Sequence, residues 1–115
     1  MTGKAKPEVW TDERCWITEL ANDPAWPEFS LARCRVEPGT TTQRHALAVH
    51  EFYLVRQGSG LMSVGAAPPF DVGPGDTVTI PQHAAQRITN TGTTDLVFDC
   101  LCTPRFLQEC YTSLE

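Results

Sequence analysis

The chain has 115 residues, enough for one hydrophobic core and too few for two. Hydrophobic residues make up 41% and charged residues 20%, an ordinary globular balance. Nine Lys/Arg against fourteen Asp/Glu leave a net charge of -5, which argues against a nucleic-acid partner and against a polybasic grip on anionic lipid.

The opening residues Met1 to Glu8 carry no apolar leader, and no apolar run reaches the roughly 18 to 20 residues of a membrane span. The expectation is a cytoplasmic protein that neither enters nor coats a membrane. Gly and Pro punctuate the rest into short stretches rich in Val, Ile, Thr, Phe and Leu, which suit pleated strands. An all-β sandwich or barrel follows.

In chain order, residues 1–28 read as an N-terminal arm packed on the barrel or on a partner copy, with Trp16 to Leu20 as an edge strand. Trp10, Trp16 and Trp26 are candidates for a homodimer interface. Phe29 to Val36 alternates, with Ser30, Ala32, Cys34 and Val36 on one face and Arg33 and Arg35 on the wetter one. Thr42 to Gln57 contains no breaker, yet one strand of that length would run about 50 Å, so it must bend, between Leu47 and His50. Gly60 to Val64, Asp71-Val72, Thr77 to Ile80, Gln86 to Asn90 and Asp95 to Cys102 are the remaining strands, and Leu96, Phe98, Cys100 and Cys102 share one face of the last. Residues 29–103 make the barrel. Residues 104–115 form a short tail with one or two helical turns.

Five cysteines, an odd number without a leader, do not make a disulfide framework, and a lone Cys100-x-Cys102 pair does not make a zinc ribbon. They read as reduced, buried thiols.

Two segments belong together. Gly39, His45, Glu51 and Gly58 fall on the pattern G(x5)HxH(x3-4)E(x6)G, and Gly75, Pro81 and Asn90 fall on G(x5)PxG(x2)H(x3)N. This pair of motifs resembles the cupin superfamily, and the tail Cys100-Leu-Cys-Thr-Pro-Arg-Phe106 is similar to that of small single-domain, RmlC-like cupins of uncharacterised role. The resemblance implies a double-stranded β-helix, or jelly-roll barrel. It also implies a divalent metal held by three His and one Glu, a small-molecule ligand and a homodimer.

The chain departs from the motifs at three positions: Leu47 replaces the second histidine, Gln86 the motif-two histidine, and His83 the motif-two glycine. The metal reading therefore has His45, Glu51 and Gln86 as ligands to Zn, Ni, Mn or Fe, in an enzyme on an oxygen-rich substrate of the dioxygenase, isomerase or decarboxylase type. A metal-free reading has the same three residues hydrogen-bonding a small polar molecule, with Leu47, Tyr53, Met62, Phe98 and Cys102 lining the site. A third reading is a degenerate cupin acting through dimerisation or partner contact. Against these stand His45 as a satisfied core residue, Glu51 paired on the surface with Arg87 or Arg44, and Gln86 facing outward. His50 and His83 read as solvated.

Overall fold

The computed structural model describes residues 4–115; residues 1–3 of the expected N-terminal arm lie outside the described residues. Eleven strands follow in order: β1 Val9–Trp10, β2 Trp16–Ala21, β3 Ser30–Val36, β4 His45–Leu47, β5 His50–Gln57, β6 Gly60–Val64, β7 Phe70–Val72, β8 Thr77–Ile80, β9 Gln86–Asn90, β10 Leu96–Thr103 and β11 Tyr111–Ser113. They form two antiparallel sheets, β1-β2-β3-β10-β5-β8 and β11-β4-β9-β6-β7, facing each other as a jelly roll. No helix among the described residues is long and apolar enough to cross a membrane.

The long breaker-free stretch does bend after Leu47, and the bend moves the chain from one sheet to the other. Residues 42–44 do not join the strand as expected; Thr41 instead bridges Thr89 and Thr42 bonds Ile88 across the seam. Trp16–Ala21 is a strand, but β1 pairs outside Trp16 and Ile17, so it is not the edge there. The tail carries one 3₁₀ turn, Gln108–Cys110, and then β11, which the sequence did not suggest. β11 forms because β4 presents an open ladder: Tyr111 pairs Leu47 and Ser113 pairs His45.

Strand alternation sets the interior. Leu96, Phe98, Val36, Met62, Ile88 and Ile80 are all at most 2% exposed and fill one end of the shell. Burying side chains of this size is worth roughly 1.5–3 kcal/mol each. Asn90 closes that end, donating to Val36 O (2.9 Å) and Thr94 O (2.8 Å) and accepting from Gly92 N (2.9 Å). Gly58 makes the β5–β6 turn at φ +84°, and an added Cβ there would lie 2.7 Å from Asp95 O. The turn therefore needs glycine on both counts.

On the outer face of the larger sheet, Asp99 is buried between two arginines. Arg33 Nε and Arg56 Nε each donate to it at 2.8 Å.

Candidate functional site

At the other end of the shell the sheets part around a cavity of about 130 Å³. Its floor comes from inward positions of the long strands: Ser30, Ala32 and Cys34 on β3, Glu51 and Tyr53 on β5, and Cys100 and Cys102 on β10. His45 and Leu47 on β4 form one side. Glu13, Ile17, Phe106 and Tyr111, from the two terminal segments, close the mouth.

His45, Glu51 and Gln86 are brought together. His45 and Gln86 are cross-strand partners on β4 and β9. Gln86, 1% exposed, donates from Nε2 to Glu51 Oε1 at 2.9 Å, while its Oε1 accepts from the Tyr53 hydroxyl at 2.7 Å. Both ends of the amide are thus spent inside the protein. Glu51 Oε2 accepts from the Cys102 thiol at 3.7 Å. Burial pushes the Glu51 carboxyl up to about 7, against the opposing pull of its hydrogen bonds from Gln86, Cys102 and Cys100.

His45 is 3% exposed. Its Nδ1 lies 2.7 Å from Gln43 O, an acceptor only, so Nδ1 carries the proton. Tyr111 stacks on the ring at 4.7 Å and 15°, and the Tyr111 hydroxyl donates to Gln43 Oε1. Nε2 faces the Glu13 carboxylate at 3.4 Å.

Sequence reasoning missed Glu13. It sits in the tight turn between β1 and β2, where Thr11 N donates to Cys15 O and Arg14 N to Thr11 O. Gln43 N donates to Glu13 O, Arg14 Nε donates to Thr41 O, and the Arg14 guanidinium grips Glu115 at 3.0 and 2.8 Å. These contacts pin the turn over the mouth. Burial raises the Glu13 carboxyl above its ordinary value; His45 opposes this and Glu51 adds to it. Nothing in a Thr-Asp-Glu-Arg turn announces that position. Tyr111 was missed for a related reason: its strand is three residues long and exists only as an addition to β4.

Of the expected lining residues, Leu47, Tyr53 and Cys102 are on the cavity wall. Met62 and Phe98 are packed in the core instead, with Phe98 stacked on Tyr53 at 4.3 Å. Glu51 is not on the surface with Arg44 or Arg87, and Gln86 does not face outward. His50 and His83 are exposed; His50 Nδ1 accepts from Gln82 N.

Four of the five thiols, Cys15, Cys34, Cys100 and Cys102, are buried and held above their ordinary value, whereas Cys110 is half-buried. Cys34 and Cys100 touch at 3.4 Å between sulfurs, and burial pushes the Cys100 thiol up to about 12. All five cysteines are free, and buried, high-pKa thiols are poor nucleophiles and poor metal donors.

The donor set does not fit a resident metal. The Gln86 N–H group, not its carbonyl, points at Glu51; Leu47 offers nothing; and His45 Nε2 looks toward Glu13. No group of three or more His, Cys, Asp or Glu among the described residues is arranged to hold a metal ion.

Comparison with known proteins gives three kinds of match. A family profile described as "Cupin domain" matches residues 32–104. The uncharacterized protein MJ1618 of Methanocaldococcus jannaschii is 33% identical over 109 residues, covering 92% of this chain and 86% of its own. Among solved structures, oxalate decarboxylase from Bacillus subtilis superposes with a TM-score of 0.79 at 22% identity over 94% of this chain. This chain spans only 30% of that enzyme's length. The plu4264 protein of Photorhabdus luminescens gives 0.74 at 23% identity, covering 90% of this chain and 83% of its own. A Streptomyces PAC13 variant with uridine gives 0.81 at 14%, covering 100% and 90%. Identities this low speak to the fold alone.

Proposed function

The chain belongs to the cupin family, and from that premise we propose that its barrel cavity binds a small polar molecule directly, without a resident metal. The observation that carries this reading is the Gln86 amide. For its carbonyl to face a metal beside Glu51 the amide must turn over, and the Tyr53 hydroxyl, 4% exposed as part of its residue, then loses the oxygen to which it now donates. Leaving such a group unpaired costs roughly 1–3 kcal/mol. Glu51 would in the same step lose the N–H it now accepts. Toward the cavity stand His45 Nε2 and Glu13 Oε1, 3.4 Å apart, and Glu51 Oε2, with the Cys102 thiol at 3.7 Å, set in an otherwise mostly apolar wall. That is the usual make-up of a small-molecule site. A neighbour of similar length, the PAC13 structure, carries uridine, which supports reading such a barrel as a ligand pocket.

The test has two arms. Metal-stripped, tag-free protein is exposed to Zn, Ni, Mn and anaerobic Fe(II) and then analysed; retention below about a tenth of an equivalent is expected for a set this poor in charged donors. The stripped protein is then screened by thermal shift against small polar molecules at millimolar concentration. A binder at about 100 times its Kd stabilises by about 2.7 kcal/mol, and His45→Ala should abolish that. One equivalent of metal retained by the wild type and lost in His45→Ala would overturn the proposal.

A second reading keeps some support. His45 and Gln86 are directly opposed, and Gln86 bonds Glu51, so the three groups do share one neighbourhood. On that reading a divalent metal enters after Gln86 turns over, and the protein is an enzyme on an oxygen-rich small substrate. The metal arm of the same experiment separates the two.

A further inference from the structure

We infer that the ligand of this cavity is a small organic cation carrying N–H donors, an alkylammonium or a guanidinium, and not a carboxylate or a phosphate. The inference rests on the metal-free reading of the site.

The first support is charge. Glu13, Glu19, His45 and Glu51 line the cavity, and no lysine or arginine does among the described residues. Arg14 is held by Glu115 at 2.8 Å, and Arg105, outside the lining, donates to the lining residue Asn22 at Oδ1, 2.6 Å. Glu19 is taken by Lys6 at 3.1 Å. An entering anion would give up its water beside the Glu13 and Glu51 acids, which burial already holds above their ordinary values, with no lysine or arginine on the wall; a cation lets the same acids ionise. An uncompensated buried charge is among the costliest things a site can hold.

The second support is the hydrogen-bond balance of the wall. Three good donors are spent inside the protein: the Tyr53 hydroxyl on Gln86, the Tyr111 hydroxyl on Gln43, and Asn22 Nδ2 on Phe106 O at 2.8 Å. The Ser30 hydroxyl accepts from Phe106 N at 2.8 Å. His45, 3% exposed, is anchored through Nδ1 to Gln43 O at 2.7 Å. The Glu13 carboxyl meets only the edge of that ring, Oε1 to Nε2 at 3.4 Å, with no hydrogen bond to it among the described residues. A ligand that brings hydrogens gives the acids of this wall the partners they lack.

Size and surface agree. The cavity, about 130 Å³, is a little smaller than the roughly 150 Å³ hole that takes benzene, so a ligand of about six non-hydrogen atoms fits. Phe106 and Tyr111 add aromatic surface of the kind that favours cations.

The experiment is calorimetric titration of metal-stripped full-length protein near neutral pH and at fixed ionic strength. The probes are n-butylamine, methylguanidine, 1-butanol and butyrate, which differ little in size and mainly in charge. Butylammonium and methylguanidinium should bind at least about tenfold tighter than butyrate, since a charge-assisted hydrogen bond is roughly twice as strong as a neutral one. Glu13→Gln should remove most of that preference. Asp71→Asn, the same charge change on exposed β7, should leave it intact. Butyrate binding as tightly as the cations, or a cation preference untouched by Glu13→Gln, overturns the inference and spares the cavity reading. Should the variant misfold, the wild-type ranking alone decides. No binding by any of the four compounds, together with no hit in the wider screen, overturns both.

Discussion

Gln86 hands an amide hydrogen to Glu51 across 2.9 Å, deep in the barrel and out of reach of solvent. A neutral side chain thereby takes the place that the family motif gives to an imidazole. It converts a constellation suited to gripping a metal ion into one in which the amide is satisfied within the protein. Most of what can be tested about this protein follows from that exchange.

Glu51 should make the fold pH-sensitive. Burial raises its carboxyl from an ordinary 4.5 to about 7. The folded state therefore holds the proton more tightly than the unfolded one, so the contribution is whole below about pH 4.5 and is lost as pH rises toward 7. At about 1.4 kcal/mol per pH unit the loss is about 3 kcal/mol. Urea unfolding from pH 4.5 to 8 should show it, and Glu51→Gln should flatten that part of the curve and be the more stable protein at pH 8. Parallel curves for the two proteins would sink this.

Restoring the missing imidazoles should restore a metal site. Leu47→His with Gln86→His puts nitrogen donors on neighbouring inward positions of β4 and β9 beside His45 and Glu51. Affinity for Zn or Ni should rise by at least about 100-fold, because imidazole replaces an amide and a hydrocarbon. Calorimetry with each single variant alongside the double shows whether both are needed.

Asp99 should matter at the acid end. Burial alone would lift its carboxyl; the hydrogen bonds and charges of Arg33 and Arg56 outweigh that and hold it below the ordinary carboxylate range. Its contribution is present near neutrality and disappears as pH falls through the depressed value. Both arginines are half-exposed, so solvent screens the pair. Asp99→Asn should cost about 1–2 kcal/mol at pH 7 and little at pH 2, a difference visible in thermal melts.

His83 carries avoidable strain. It sits at φ +69° where the second motif has glycine, and its N–H donates to Leu47 O. His83→Gly should stabilise by about 0.5–1 kcal/mol, since a non-glycine residue pays about 1–2 kcal/mol in the left-handed region, partly offset by the greater freedom of unfolded glycine. Equal or lower stability would mean the imidazole compensates through contacts of its own.

Self-association through the first strand is the remaining expectation. Val9 and Trp10 are 54% and 51% exposed, with Trp10 set edge-on against Trp16 at the outer edge of the larger sheet. Light scattering at about 50 μM should give a dimer, and Trp10→Lys on that open edge should give a monomer. A monomeric wild type removes the idea.

The central strands were legible because alternation and punctuation agree there. Gln86 to Asn90 is read from the sequence with the same limits as β9, and the bend after Leu47 follows from length alone. Alternation also put Leu96, Phe98, Cys100 and Cys102 on one face of the last long strand, and all four are buried. The end segments were not legible. Two or three residues of β1 or β11 have no periodicity to read; they become strands only because a neighbour offers unpaired backbone. Glu13 and Tyr111 ride on those segments, so half of the site escaped a reading based on local pattern. The direction of the Gln86 amide escaped it too, since that depends on a hydroxyl from another strand.

The cavity thus has two owners. The motif-bearing strands make a rigid floor whose side chains are interlocked with the core, whereas the lid is borrowed from short peripheral stretches with few packing duties. Substitutions in the lid can rewrite selectivity while the scaffold stays untouched. Relatives with the same β-scaffold should therefore diverge in what they capture sooner than in how they fold, and assigning ligands by scaffold alone will mislead.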